Sequence, residues 1–248
     1  MIATPKFVFL HLHKSGGTFV NEALLHFIPE AVQLGYHLPR AMIPDYVAHL
    51  PVLALVRNPY SYYVSWYFYQ SGREHKNALF QVLSDDGRLG FRDTIRNMLD
   101  LGSGSLRLDL LLARLPHGYD NRGLNLPAAA LAPIRNSGLG FYSYLYRYMY
   151  QSPQPTPLHV GRMESLRSDL LAMLEHVAQP VSASMRSYIE AEAPRNTSDH
   201  RHHASYYDAE LAELVAERDA LVIDQHGYGF EICASEPAQT LPERLQAR

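Results

Sequence analysis

Cysteine is almost absent from this chain. Cys233 is the single one in 248 residues, so no internal disulfide framework is available, and the composition fits a reducing, cytoplasmic setting. Long apolar runs are missing too. No stretch approaches the roughly 20 residues that a membrane-spanning helix needs, and Met1 to Lys6 lacks the charged-then-apolar order of a secretory leader. There is no surplus of positive charge. A formal net charge of −3 argues against a general nucleic-acid binder, which would be strongly basic. The motifs GxxxxGK[ST], HExxH and GxSxG do not occur, which leaves no sequence ground for a Walker-type loop, a zincin centre or a serine-hydrolase elbow. One cysteine cannot build a Cys-rich zinc site. In Asp199-His200-Arg201-His202-His203 the adjacent histidines do not share a helix face, so no metal is expected.

What is present is an alternation of strand and helix patterns without a fixed repeat, which predicts an α/β domain built on a central parallel sheet flanked by helices. Lys6 to His11 is a short run rich in β-formers, and helical apolar spacing follows from Thr18 to Ile28 until Pro29 ends it. Ala31 to Tyr36 is a weaker strand pattern. Pro51 to Val56 is the clearest buried strand, and Asn58 with Pro59 then supplies an N-cap and a first helical residue for a helix to about Gln70. From 71 to about 157 several short amphipathic stretches predict a helical insertion, closed by an aromatic helix over Phe141 to Tyr150 that packs on the sheet. Leu158 to Gly161 predicts a late strand, Leu166 to Val177 a helix, and Tyr207 to Val222 one long closing helix. A single domain over 1–233 is expected, with a polar, aperiodic tail from Ala234 to Arg248 expected to be mobile.

The chemistry centres on the turn between the first strand and the first helix, His13-Lys14-Ser15-Gly16-Gly17-Thr18. Two glycines there let the backbone approach a ligand closely. The first N–H groups of the helix and its dipole favour an anion, Lys14 adds a full charge, and Ser15 and Thr18 add hydroxyls. Taken alone, the same residues also describe a tight Gly-Gly turn with a solvated lysine. A second signal is Arg57, delivered at the C-terminal end of strand 51–56, where open α/β sheets bind ligands, with Ser65 eight residues later. An arginine fork and a hydroxyl suit a second phosphate.

Together these segments resemble the PAPS-dependent sulfotransferase superfamily, enzymes that use 3′-phosphoadenosine 5′-phosphosulfate. Its 5′-phosphosulfate loop is matched by His11-Leu-His-Lys-Ser-Gly-Gly-Thr18, with His13 where proline is usual, and its 3′-phosphate motif by Arg57-Asn-Pro and Ser65. Asn196 to Arg201, Tyr206-Tyr-Asp and Gly227-Tyr-Gly-Phe230 are similar to the closing segment of bacterial and carbohydrate-type members. The resemblance implies a P-loop-kinase-like sulfotransferase fold and sulfo transfer from PAPS to a hydroxyl or amine of a glycan, lipid or small molecule, releasing PAP without a metal. It implies nucleotide contacts from Lys14, Ser15, Gly16, Gly17, Thr18, Arg57 and Ser65, joined by Ser198 and Arg201 from the closing segment. Lys14 would stabilise the leaving phosphate. His37 would be the catalytic base, with Glu22, one turn beyond Thr18, as its rival. A kinase-like phosphotransferase and a catalytically silent nucleotide-binding module are the alternatives.

Overall fold

A computed structural model describes residues 1–121, 123–153, 155–193 and 200–230. Five strands form one sheet: β1 (Ile2–Ala3), β2 (Val8–His11), β3 (Val32–Gln33), β4 (Val52–Val56) and β5 (Leu158–Arg162), in the order β3-β1-β2-β4-β5. The three longer strands run parallel, with Val8 opposite Val52 and Val52 opposite Leu158. The sheet is nevertheless mixed rather than parallel throughout, because the two-residue strands β1 and β3 add antiparallel at one edge. The cause is local: the chain turns back after Ala3, and the turn is held by Thr4, whose N–H donates to Phe7 O at 3.0 Å.

Both faces of β2 and β4 are covered, as parallel strands require. Val8, Leu10, Val52, Ala54 and Val56 face one apolar cluster, and Phe9, Leu53 and Leu55 face another. The second cluster is closed by α1 (Gly17–Phe27), α8 (Leu166–His176) and α9 (Ala183–Ala191). The first receives α2 (Pro59–Ser71), the insertion helices α3 (Ala78–Leu83), α4 (Phe91–Leu99), α5 (Leu106–Leu112) and α6 (Ala128–Leu131), and then α7 (Phe141–Tyr150). The insertion therefore has no separate core; Leu83, Ile95 and Leu111 belong to the same cluster as β4.

Two expectations change at the C-terminal end. The closing helix is two helices, α10 (Ala209–Arg218) and α11 (Ala220–His226), broken at Asp219. The break has a physical reason: the fully buried Asp219 carboxylate accepts from Tyr63 OH at 2.6 Å and from the Ser143 N–H at 2.7 Å. A straight helix would carry it away from both. Ser198, Cys233 and the tail from Ala234 lie outside the described residues. Among the described residues no helix is long and apolar enough to cross a membrane.

Candidate functional site

The C-terminal ends of β2 and β4 open into a cavity of about 930 Å³, within the size range of small-molecule sites. Its floor is the turn from β2 into α1. Lys14 has a φ of 61° and Gly16, the N-cap of α1, a φ of 81°. These left-handed residues fold the chain tightly enough for the first N–H groups of α1 to meet the cavity. Packing fixes both glycines: a Cβ on Gly16 would lie 2.4 Å from Met163 Sδ, and one on Gly17 would lie 2.0 Å from the His11 ring. A lysine in the left-handed region is uncommon, and such strain concentrates at functional sites.

α7 holds this turn from behind. Tyr150 OH accepts from the Leu12 N–H at 3.0 Å and donates to Leu55 O at 2.6 Å, so it bridges the ends of β2 and β4. Tyr142 OH accepts from the Arg57 N–H at 2.8 Å and lies 3.3 Å from Ser15 Oγ. This corrects the role expected of Ser15. Its side chain is fully buried against Tyr142 and its N–H is directed to Leu12 O at 3.3 Å, so it positions the loop and does not line the cavity. Lys14, Gly16, Gly17 and Thr18 do line it.

Arg57 and Ser65 line the same cavity. Arg57 donates from Nη1 to Lys14 O at 3.0 Å and from Nε to Ser61 Oγ at 2.8 Å, which leaves Nη2 for a ligand. Glu164 lies nearby, but its carboxylate accepts from the Asn58 N–H at 2.8 Å and from Tyr228 OH at 3.0 Å. Neither Lys14 nor Arg57 forms an ion pair among the described residues. Burial, followed by the Arg57 charge, brings the Lys14 ammonium down to about 8. Burial likewise lowers the Arg57 guanidinium, against the opposing pull of Glu164. The cavity therefore holds two half-buried cations that form no salt bridge among the described residues, with Glu164 as the nearby opposite charge on Arg57.

The closing segment does return to this region. Gly229 O accepts from Asn58 Nδ2 at 3.0 Å, and the Phe230 ring lies 5.0 Å from that of Tyr60. Arg201, in contrast, is exposed, stacks 5.5 Å from the Tyr206 ring centroid and does not line the cavity. Tyr206 OH accepts the Arg201 N–H at 3.0 Å and holds the segment in that place, and His200 lines the cavity instead.

The two candidate bases separate clearly. Glu22 is exposed on the outer face of α1, where its Oε2 accepts from Tyr188 OH at 3.3 Å, and it does not line the cavity. His37 is buried and lines the cavity. Its Nδ1 lies 3.3 Å from His11 O, a carbonyl that can only accept, so the hydrogen resides on Nδ1 and Nε2 keeps its lone pair. Burial pushes the His37 imidazole down to about 4, partly offset by the bond to His11. His37, like Lys14, has a left-handed backbone, with φ 49°.

Sequence reasoning missed several cavity residues. His13 turns its ring toward His37, with centroids 5.6 Å apart, and its buried Nδ1 has no partner among the described residues. Tyr69 and Arg73 follow Ser65 at i+4 and i+8; that spacing was the available signal, because it continues the line of Ser65 along α2 and past its end. Among the described residues no three His, Cys, Asp or Glu side chains are grouped so as to hold a metal ion. The chain matches no protein-family model, and no curated protein is significantly similar to it in sequence.

Proposed function

We propose that this cavity binds PAPS and passes its sulfo group to an acceptor hydroxyl or amine, on a P-loop-kinase-like sulfotransferase fold. The observation that carries the reading is the pairing of Lys14 and Arg57. Two cations that form no salt bridge among the described residues stand at the ends of adjacent parallel strands, one beside a helix N-terminus and the other before the helix that carries Ser65. That arrangement suits a nucleotide with anionic groups at two positions.

In the reaction the acceptor oxygen or nitrogen attacks sulfur while the bond from sulfur to the bridging phosphate oxygen breaks. Negative charge grows on that oxygen as PAP leaves. Lys14 and the first N–H groups of α1 meet this charge, and they stabilise it more in the transition state than in the ground state. The acceptor proton passes to His37 Nε2, the nitrogen that the bond to His11 O leaves unprotonated. Gly16 and Gly17 allow the close approach, Thr18 adds a hydroxyl, and Arg57 with Ser65 takes the 3′-phosphate. Ser15 acts through Tyr142 as a positioning residue.

Thermal unfolding with ligands is the direct test. PAP should protect without Mg²⁺ because it binds only the native state, and ATP should protect much less. Protection by ATP that requires Mg²⁺ would favour a phosphotransferase. Protection by PAP with no consumption of PAPS across glycan, phenol and amine acceptors would favour a silent binding module.

A further inference from the structure

The cavity has a second basic wall, apart from the groups proposed for the nucleotide. Beyond Ser65 the end of α2 and the turn after it contribute Tyr69, Gln70, Arg73, His75, Lys76 and Asn77 to the lining. Tyr69 joins this wall to the transfer centre, because Lys14 Nζ lies 3.9 Å from its ring centroid and the Arg73 guanidinium 5.2 Å from it. Arg73 donates from Nη1 to Tyr69 OH and from Nε to His75 O, which holds the fork in place and leaves Nη2 open to a ligand.

The charges around the cavity are one-sided. Among the described residues Lys14, Arg57, Arg73, Lys76 and Arg167 line it against the single carboxylate of Glu164, although the whole chain carries a net charge of −3. Arg167 is committed to Ile189 O and Glu192 O at the end of α9. Lys14 and Arg57 go to the nucleotide. Arg73 and Lys76 remain, and no carboxylate among the described residues pairs with either. Two cations that no carboxylate among the described residues pairs with stand on one wall, and an anion bound there would be attracted by both.

We infer that the acceptor carries a fixed anionic group, a carboxylate or a sulfate, which Arg73 and Lys76 hold while its hydroxyl faces His37 and Lys14. An acidic sugar is the simplest molecule with that chemistry. The inference rests on the sulfo-transfer reading, since it assigns Lys14 and Arg57 to PAPS.

The test pairs acceptors of the same shape and different charge: glucuronate with glucose, and 4-hydroxybenzoate with 4-hydroxybenzamide. Each is titrated into the PAP-saturated protein by calorimetry and assayed with PAPS. The anionic member of each pair should bind about tenfold tighter or better, as one charge-assisted contact implies. Lys76→Gln and Arg73→Gln should each reduce that advantage, through KM rather than kcat, and the double variant should abolish it with PAP affinity retained. Equal binding of charged and neutral members, an advantage that survives the double variant, or no binding by either pair to a PAP-saturated protein each overturns the inference. The nucleotide reading is scored separately: if PAP fails to protect the wild-type protein, that reading falls and takes the acceptor assignment with it.

Discussion

The Arg57 guanidinium donates to the carbonyl oxygen of Lys14 across 3.0 Å. The group proposed for the 3′-phosphate therefore also secures the backbone of the residue proposed for the 5′ end. Arg57→Ala should erase the preference for PAP over AMP, a loss of roughly 10- to 100-fold for one charge-assisted contact. It should also lower turnover, because the left-handed turn at Lys14 loses a brace. Arg57→Lys should regain part of the discrimination but little of the turnover, since an ammonium lacks the planar fork that serves Ser61, Lys14 and a ligand together. Retention of a strong PAP preference in the alanine variant would place the 3′-phosphate elsewhere.

Lys14 gives a prediction for alkaline pH. Only the ammonium form attracts an anion, and in the free protein it is depressed to about 8 by burial and by Arg57. Above about pH 7, where the phosphates of PAP are almost fully ionised, PAP affinity should decline as pH rises through about 8, far below the usual lysine range. Lys14→Arg should remove that decline, and Lys14→Ala should cut kcat by about 10²–10³-fold, as removal of a transition-state donor does. A wild-type PAP affinity that is flat from about pH 7 to about pH 9.5 would contradict this.

His37 gives the acid limb. With the imidazole held near 4, it stays neutral and able to accept a proton well below the ordinary histidine value. The rate should therefore fall only as pH drops toward about 4, not near 6.5. His37→Ala should lose roughly 10²–10⁴-fold in kcat with PAP affinity unchanged, and Glu22→Gln should be close to wild type. A crippled Glu22→Gln beside an active His37→Ala would reverse the assignment.

The buried Asp219 should be visible in stability. Burial raises its carboxyl to about 6 despite the bonds from Tyr63 and Ser143. The folded-state pKa lies above the unfolded value, so its contribution is full below about pH 4 and is lost as pH rises through about 6. Asp219→Asn should therefore gain on the wild type by about 2–3 kcal/mol between about pH 4 and about pH 7, read as the difference in urea-unfolding free energies. A difference that stays constant over that range would mean that the carboxyl titrates normally.

The parts of the fold that were legible in the sequence carry their own local signals. β4 is a run of β-formers, and α2 announces itself through Asn58, whose side chain accepts from the Tyr60 N–H at 3.1 Å, and through Pro59. The antiparallel edge was not legible, because two residues in β1 and two in β3 are too few to show a period. Nor was the break at Asp219, where a 3.6-residue pattern continues across a carboxylate whose partners, Tyr63 and Ser143, are distant in sequence. Lys14, Thr18, Arg57 and Ser65 were readable as cavity residues because strand ends and a glycine turn fix where they point. Ser15 was not, since its direction depends on the φ of Lys14 and on a tyrosine 127 residues away.

The hydroxyls of Tyr142 and Tyr150 limit how this protein can be rebuilt. Both belong to α7, which closes the insertion, yet they secure the ends of β2 and β4. A chimera that exchanges residues 71–157 as one cassette would remove the anchors of the turn after β2 along with the wall proposed to hold the acceptor. The interchangeable unit is shorter and ends before Gly140, the N-cap of α7. Cut there, the graft carries Arg73 and Lys76 to a new host, while the recipient keeps the two tyrosines that its own loop depends on.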